Sequence, residues 1–360
     1  MADIYDRFET MHTERHACFG GANTGDGFVS DYPSLIKESE FTKTYIVKGG
    51  SGTGKSTLIR RAADAAEKLG ADIFEIRCGS DPDSLDGAII TLGNKTLAFA
   101  DGTAPHTLDP VLPGSSGEIV NCGSCWNSTA LKNSRERLEA LSRIKSGFFA
   151  ESARYTSACR DICKAALTRA RTDWLLADKL EAYTDRLTKG SFHAGNQAII
   201  RTTAISMKGA CRLDAFDNVR KTVAVRQWCQ TSFLFFESLA NQLKRKHIQC
   251  SVSVSPLGNI CEIMIPEKST SFVPYREGGK YDSVVNMKRF TDKSGSANGR
   301  QKRRFGEKCA LAMFDSALDS LTEARLCHFE IEDIYKSAMD FKALDKLTKK
   351  LCADVKAQLS

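Results

Sequence analysis

No stretch of this sequence approaches the roughly 18 consecutive apolar residues that a helix needs to cross a bilayer, which excludes a spanning helix. The start, Met1 to Glu14, is polar and acidic. It lacks the basic opening and apolar core of a signal peptide, so a cytoplasmic location is expected. A disulfide framework is not expected either. The 13 cysteines are odd in number and scattered, which suits reduced thiols acting as small buried apolar groups. A strong excess of one charge is also missing. The formal net charge of +7 suits a phosphate-bearing ligand but falls short of a dedicated nucleic-acid binder. No Leu-Ser-Gly-Gly-Gln signature of a transporter-type ATPase occurs.

What is present is an ordinary globular balance, 42% apolar and 26% charged, over 360 residues. That length suggests about two domains. Thr44 to Val47 reads as a buried strand, Ser56 to Leu69 as a helix stopped by Gly70, and Asp72 to Ile76 as a second strand. Ala88 to Ile90 and Thr96 to Ala100 read as two more strands, with Asn94 in the turn between them. This is the pattern of an α/β nucleotide-binding core over 1–130, expected to be P-loop NTPase-like with a parallel sheet. Residues 131–188 hold no proline, and 131–190 reads as a helical appendage. Residues 191–292 read as a second α/β core, and 293–360 as a basic loop followed by helices. Leu311, Phe314, Leu318 and Leu321, then Leu344, Leu347, Leu351 and Val355, recur at helical steps.

A weak internal repeat fits an offset near 175. Ile73 lies opposite Ile248, Thr57-Leu58 opposite Ser232-Phe233, and Leu85 to Ile90 opposite Ile260 to Ile265. On that offset, Gly54-Lys55-Ser56-Thr57 is replaced by Cys229-Gln230-Thr231-Ser232. The second half is then expected to be a degenerate copy without a phosphate grip.

Gly49-Gly50-Ser51-Gly52-Thr53-Gly54-Lys55-Ser56 satisfies G-x-x-x-x-G-K-[ST] in full, between an apolar strand and a helix. Glycines reach backbone angles closed to other residues and let main-chain N–H groups converge on a phosphate. The helix N-terminus adds positive potential. Lys55 is expected to reach the β- and γ-phosphates, Ser56 to ligate Mg2+, and Thr57 to cap the first turn. Asp101, ending the apolar run Leu97 to Ala100, is the candidate acid for the metal. His106 is a candidate contact to the γ-phosphate or to a second substrate. Asp81, Asp83 and Asp86 lie where a water-positioning acid is usual, and each also suits plain turn chemistry.

These residues resemble a largely uncharacterised bacterial family of tandem P-loop ATPase-like proteins. The resemblance rests on Arg15-His16-x-x-Phe19 with Ala22-x-Thr24-x-x-Gly27, on the glycine loop, and on Asp101-Gly102-Thr103-Ala104-Pro105-His106. A weaker echo is Ala338-Met339-Asp340-Phe341. The chain carries Gly25 where the family tends to have proline. The resemblance implies ATP binding, and it makes His16, Asn23 and Thr24 candidate contacts to the base or phosphate acceptor.

Two weaker signals remain. Cys122-Gly123-Ser124-Cys125 is a C-x-x-C without a second pair at zinc-site spacing, which suits incidental thiols. Lys293, Arg300, Lys302, Arg303 and Arg304 form a basic segment. It suits a solvated loop, a protein or RNA partner, or an arginine finger onto the first site. The sequence thus predicts a two-lobed α/β protein that binds ATP with Mg2+ and hydrolyses it slowly, coupled to a conformational change or partner. The alternatives are a small-molecule or nucleotide kinase and a nucleotide-gated RNA- or protein-binding module.

Overall fold

Lys43–Lys48 buries Tyr45, Ile46 and Val47, and Lys95–Asp101 buries Leu97 to Ala100. Such unbroken apolar runs belong to strands covered on both faces. The computed structural model describes residues 4–217, 219–228, 231–292 and 300–360, with the side chains of Arg300 and Arg303 outside the description. In the first half it places β1 (His16–Phe19), β2 (Lys43–Lys48), β3 (Asp72–Arg77), β4 (Leu85–Leu92), β5 (Lys95–Asp101) and β6 (Gly117–Asn121) in one sheet, ordered β1-β3-β4-β5-β2-β6. Helix α1 (Lys55–Glu67) follows β2, and Gly70 takes the left-handed turn beyond it at φ +88°.

The sheet is mixed, not parallel throughout as the sequence suggested. β4 runs antiparallel to both β3 and β5, whereas the remaining pairs are parallel. The reason is chain length. Only Gly93 and Asn94 separate β4 from β5, and a parallel return needs a crossover of a dozen residues or more.

The second half holds β7 (Gln197–Ile199), β8 (Lys221–Arg226), β9 (Cys250–Val254), β10 (Ile260–Ile265), β11 (Thr270–Pro274) and β12 (Ser283–Asn286). Their order is β7-β9-β10-β11-β8-β12, and each neighbouring pair has the sense of its counterpart in the first sheet. A three-stranded sheet pairs Glu9–Met11 with Gly209–Leu213, so the N-terminus contributes to the second half.

The helices are exchanged between the halves. The long α2 (Arg135–Asp173) runs antiparallel to α5 (Arg300–Ser337). Leu141 clusters with Cys327 and Ile331, while Gly306 faces Ile162. The far end of α2 and the following α3 (Ala177–Leu187) bury Cys163, Leu167 and Leu180 in the second core, against α4 (Ser232–Arg245). Conversely α6 (Phe341–Leu359) buries Leu344, Leu351 and Val355 in the first core against α1. Segment 131–190 is helical as expected, but its far end serves the other sheet.

Matching main-chain bonds pin both exchanges. Asn127 N–H donates to the Ala338 carbonyl and Asp340 N–H to the Cys125 carbonyl, each at 2.7 Å. Asp292 N–H donates to Trp174 (2.7 Å) and Leu176 N–H to Phe290 (2.8 Å). The C-x-x-C motif is therefore a short helical turn that receives the C-terminal helices. Cys122 and Cys125 are buried there. Among the described residues no helix is long and apolar enough to cross a membrane.

Leu351 is 4% exposed, on a helix that covers the first core from the far end of the sequence. Leu351→Ala should cost about 2–5 kcal/mol of stability by urea unfolding. It should also lower the melting temperature of the part carrying the glycine loop.

Candidate functional site

The chain turns sharply between β2 and α1. Gly52 and Gly54 take φ of +69° and +81°, which a side chain would resist. The loop is also crossed closely by helices of the second half. A methyl group at Gly50 would stand 2.7 Å from the Tyr335 ring, and one at Gly54 2.7 Å from Leu344. Thr53 Oγ1 donates to the Gly50 carbonyl at 2.8 Å and closes the turn.

Thr57 does not cap α1 as expected. The residue before the helix is Gly54, which has no side chain, and no side-chain cap bond forms. The Lys55 ammonium donates to the Gly49 and Gly50 carbonyls at 3.0 and 2.8 Å and lies 3.5 Å from Asp101 Oδ2. Ser56 Oγ accepts from Leu85 N–H at 2.9 Å, which leaves its second lone pair free. Thr103 Oγ1 donates to the Gly49 carbonyl at 2.9 Å, and its N–H donates to Asp101 Oδ1 at 2.8 Å.

Asp86 is the acid that sequence reading undervalued. Ile76 pairs with Gly87 and Arg77 with Leu85, so Asp86 is the extra residue of a β-bulge. Bulges re-aim side chains and recur beside sites. Gly87 pairs with Ala100, which brings Asp86 alongside Asp101. Tyr32 Oη donates to the Asp86 carbonyl at 2.6 Å and fixes the bulge. No spacing rule reveals such a residue, because a bulge is set by the pairing of two strands.

His106 is buried and edge-on to Phe28 and Tyr32. Its Nε2 lies 3.2 Å from Asp86 Oδ2, and its Nδ1 lies 3.1 Å from Ser30 Oγ. Only the Ser30 contact is a hydrogen bond; Asp86 Oδ2 is buried beside the ring without a hydrogen-bond partner. Burial pushes the Asp101 carboxyl above the usual range; Lys55 and the Thr103 N–H oppose this, and the charge of Asp86 adds to it.

Loop and acids open on a cavity of about 680 Å³. Residues Ser51 to Thr57, Asp86, Asp101 and His106 line it. Its roof comes from both long helices, with Lys145 and Phe149 from α2 and His328, Glu332 and Lys336 from α5. Lys336 Nζ and His328 Nε2 lie 2.9 and 3.5 Å from the Glu332 carboxylate. With His328 first and Lys336 second, they draw its pKa down to about 2.

Of the upstream candidates only Asn23 lines the cavity, bonded to the Ile205 carbonyl at 2.9 Å. His16 is exposed on the edge strand, and Thr24 bonds its own hairpin at Gly27. Asp81 and Asp83 pair with Lys208. Lys293 lies outside the described residues, as do the side chains of Arg300 and Arg303. Gly306 meets α2 at Ile162. At 1.5 Å per residue that is about 25 Å along the helix from Lys145, which puts the described Lys302 and Arg304 at the far end of the α2–α5 pair from this site. Among the described residues no group of three or more His, Cys, Asp or Glu side chains is arranged to hold a metal ion. Comparison of the chain with protein-family models, curated proteins and solved structures yields no match.

A raised carboxyl pKa favours the protonated form in the fold. That stability contribution is present below the ordinary carboxylate value and lost as pH rises through the folded one. Asp101→Asn should therefore melt above wild type at pH 8. The gain should vanish near about pH 4, where an ordinary aspartate protonates.

Proposed function

We propose that the first half binds a nucleoside triphosphate, taken as ATP, together with Mg2+, and hydrolyses it slowly. One observation carries the reading. A left-handed glycine turn between a buried strand and a helix presents Lys55 and Ser56 to a cavity flanked by two acids. The donor set fits a magnesium ion. Ser56 Oγ keeps a lone pair, and Asp101 with Asp86 supplies carboxylates for bound water. When bound, Mg2+ neutralises developing phosphate charge. Loop N–H groups and Lys55 hold the β- and γ-phosphates. Asp86, buried beside His106 with an oxygen that lacks a hydrogen-bond partner, accepts the proton of the attacking water while the bond from the γ-phosphorus to its bridging oxygen breaks and ADP leaves.

The matching strand orders support reading the second half as a degenerate copy. By helix starts the offset is nearer 177 than 175, which sets Lys55 against Ser232 and Ser56 against Phe233. By strand register Asp101 falls against Pro274, since Val47 pairs with Asp101 and Val225 with Pro274. Tyr5 packs on Phe233 at 5.1 Å and Phe8 on Phe314 at 5.7 Å. Aromatic rings thus fill the second position. Every described cysteine is free, which supports a reducing, cytoplasmic setting. A kinase reading draws on the cavity's extension to Asn23, Ser80 and Met207, which leaves room for an acceptor. A protein- or RNA-binding reading draws on the exposed Lys302, Arg304 and Phe305.

At 100 times its dissociation constant, ATP with magnesium should stabilise the protein by about 2.7 kcal/mol. Lys55→Ala should lose most of that thermal shift. No shift in wild type overturns the reading. Phosphate release without an added acceptor supports hydrolysis, and strict dependence on an acceptor supports the kinase.

A further inference from the structure

A triphosphate seated on the glycine loop leaves the cavity-facing side of its terminal phosphate uncovered, and charge there calls for a second cation from the opposite wall. Five cationic or ionisable basic side chains line the cavity: Lys55, His106, His328, Lys336 and Lys145. Four have partners. Lys55 sits on the Gly49 and Gly50 carbonyls and near Asp101. His106 lies between Asp86 and Ser30, and Glu332 takes both His328 and Lys336.

Lys145 differs from all of them. Among the described residues it makes no hydrogen bond and no ion pair, yet it lines the cavity from α2. It lies within electrostatic reach of Cys327 and Glu332 on α5 and of Cys78. Cys78 in turn lies beside Asp86 and lines the same cavity. Burial holds its ammonium below the ordinary lysine value. A half-buried lysine with no hydrogen bond or ion pair of its own is a standing preference for an anion.

Resting on the triphosphate reading above, we infer that Lys145 binds the terminal phosphate and makes the site prefer a nucleoside triphosphate over a diphosphate. It takes the place expected of an arginine finger, and it comes from α2 instead of the basic segment at 293–304. The diphosphate leaves Lys145 without its partner, so the residue reports the third phosphate alone. Because α2 continues into the second core through Cys163 and Leu167, the contact is made by an element shared between both halves.

The test uses the full chain, with magnesium chloride present. Calorimetry gives dissociation constants for ADP and for an ATP analogue with nitrogen in the β–γ bridge. Three proteins are compared: wild type, Lys145→Met and Lys145→Arg. Lys145→Met should lose about ten-fold or more in affinity for the triphosphate analogue, the scale of one charge-assisted contact, while ADP affinity stays within about two-fold. Lys145→Arg should recover much of the loss. Without nucleotide, Lys145→Met should melt no lower than wild type, because it removes an unpaired, desolvated charge. If wild type binds both nucleotides and Lys145→Met matches it, or loses both equally, the role of Lys145 is overturned. If wild type binds neither, the triphosphate reading itself falls and takes this inference with it.

Discussion

At Gly52 an added methyl group would stand 2.8 Å from the Glu332 carbonyl oxygen, on a backbone already at φ +69°. That close approach ties the loop to helix α5 and so to the other end of the sequence. Local chemistry alone accounts for a left-handed glycine here, at about 1–2 kcal/mol per residue for an ordinary side chain. The structure adds a second demand, since the helix lies on the loop with no room for a Cβ. Gly50 meets Tyr335 and Gly54 meets Leu344 in the same way. The glycines therefore serve two masters, the turn and the packing. Displacing α5 or α6 would release the loop from the packing demand and leave that of the turn.

The exchange of helices follows from the same packing. A sheet with both faces apolar must be covered on both. In the first half α1 covers part of one face, and α6 supplies Leu351 and Val355 beside it. In the second half α4 is joined by Leu167 and Leu180 from the first half's helices. Neither half closes its own core. The antiparallel pair α2 and α5 carries each chain segment across, and the paired main-chain bonds at Cys125 and Phe290 fix the landing points. The cavity sits where this crossing passes over the glycine loop, so its roof belongs to two distant stretches of sequence.

Local pattern was enough for what is local. The apolar runs at Thr44 to Val47 and Thr96 to Ala100, the helix after Lys55 and the turn at Asn94 all stand where their composition puts them. The helical steps at Leu344, Leu351 and Val355 are likewise a buried face. What was not legible depends on pairing between strands or on long-range packing. The antiparallel β4 comes from a two-residue connection. Asp86 enters the site only because a bulge turns it inward. His106 stands in the cavity wall as the sequence suggested, yet its nitrogens face Ser30 and Asp86, which no spacing foretells. Lys145 lies on a polar helical stretch like any surface lysine, and only the crossing of α2 over the loop makes it a cavity residue.

The two halves share a strand order but differ at the position of the glycine loop. In the second half Ser232 and Phe233 open the helix, Pro274 stands at the register of Asp101, and Phe314 occupies the step of α5 that Phe149 occupies on α2. Tyr5 and Phe8 then stack into the space, in a core that also buries Phe235 and Leu239. Burying two aromatic rings yields several kcal/mol from area alone, and an anion placed there would have to displace them with no lysine to meet it. The second half thus holds an aromatic core where the first half holds a polar cavity with partly buried charges: Asp86, Asp101, Lys55 and Lys145. Strain and desolvation gather where the glycine loop opens, and the aromatic core of the second half is joined to it through α2 and α5.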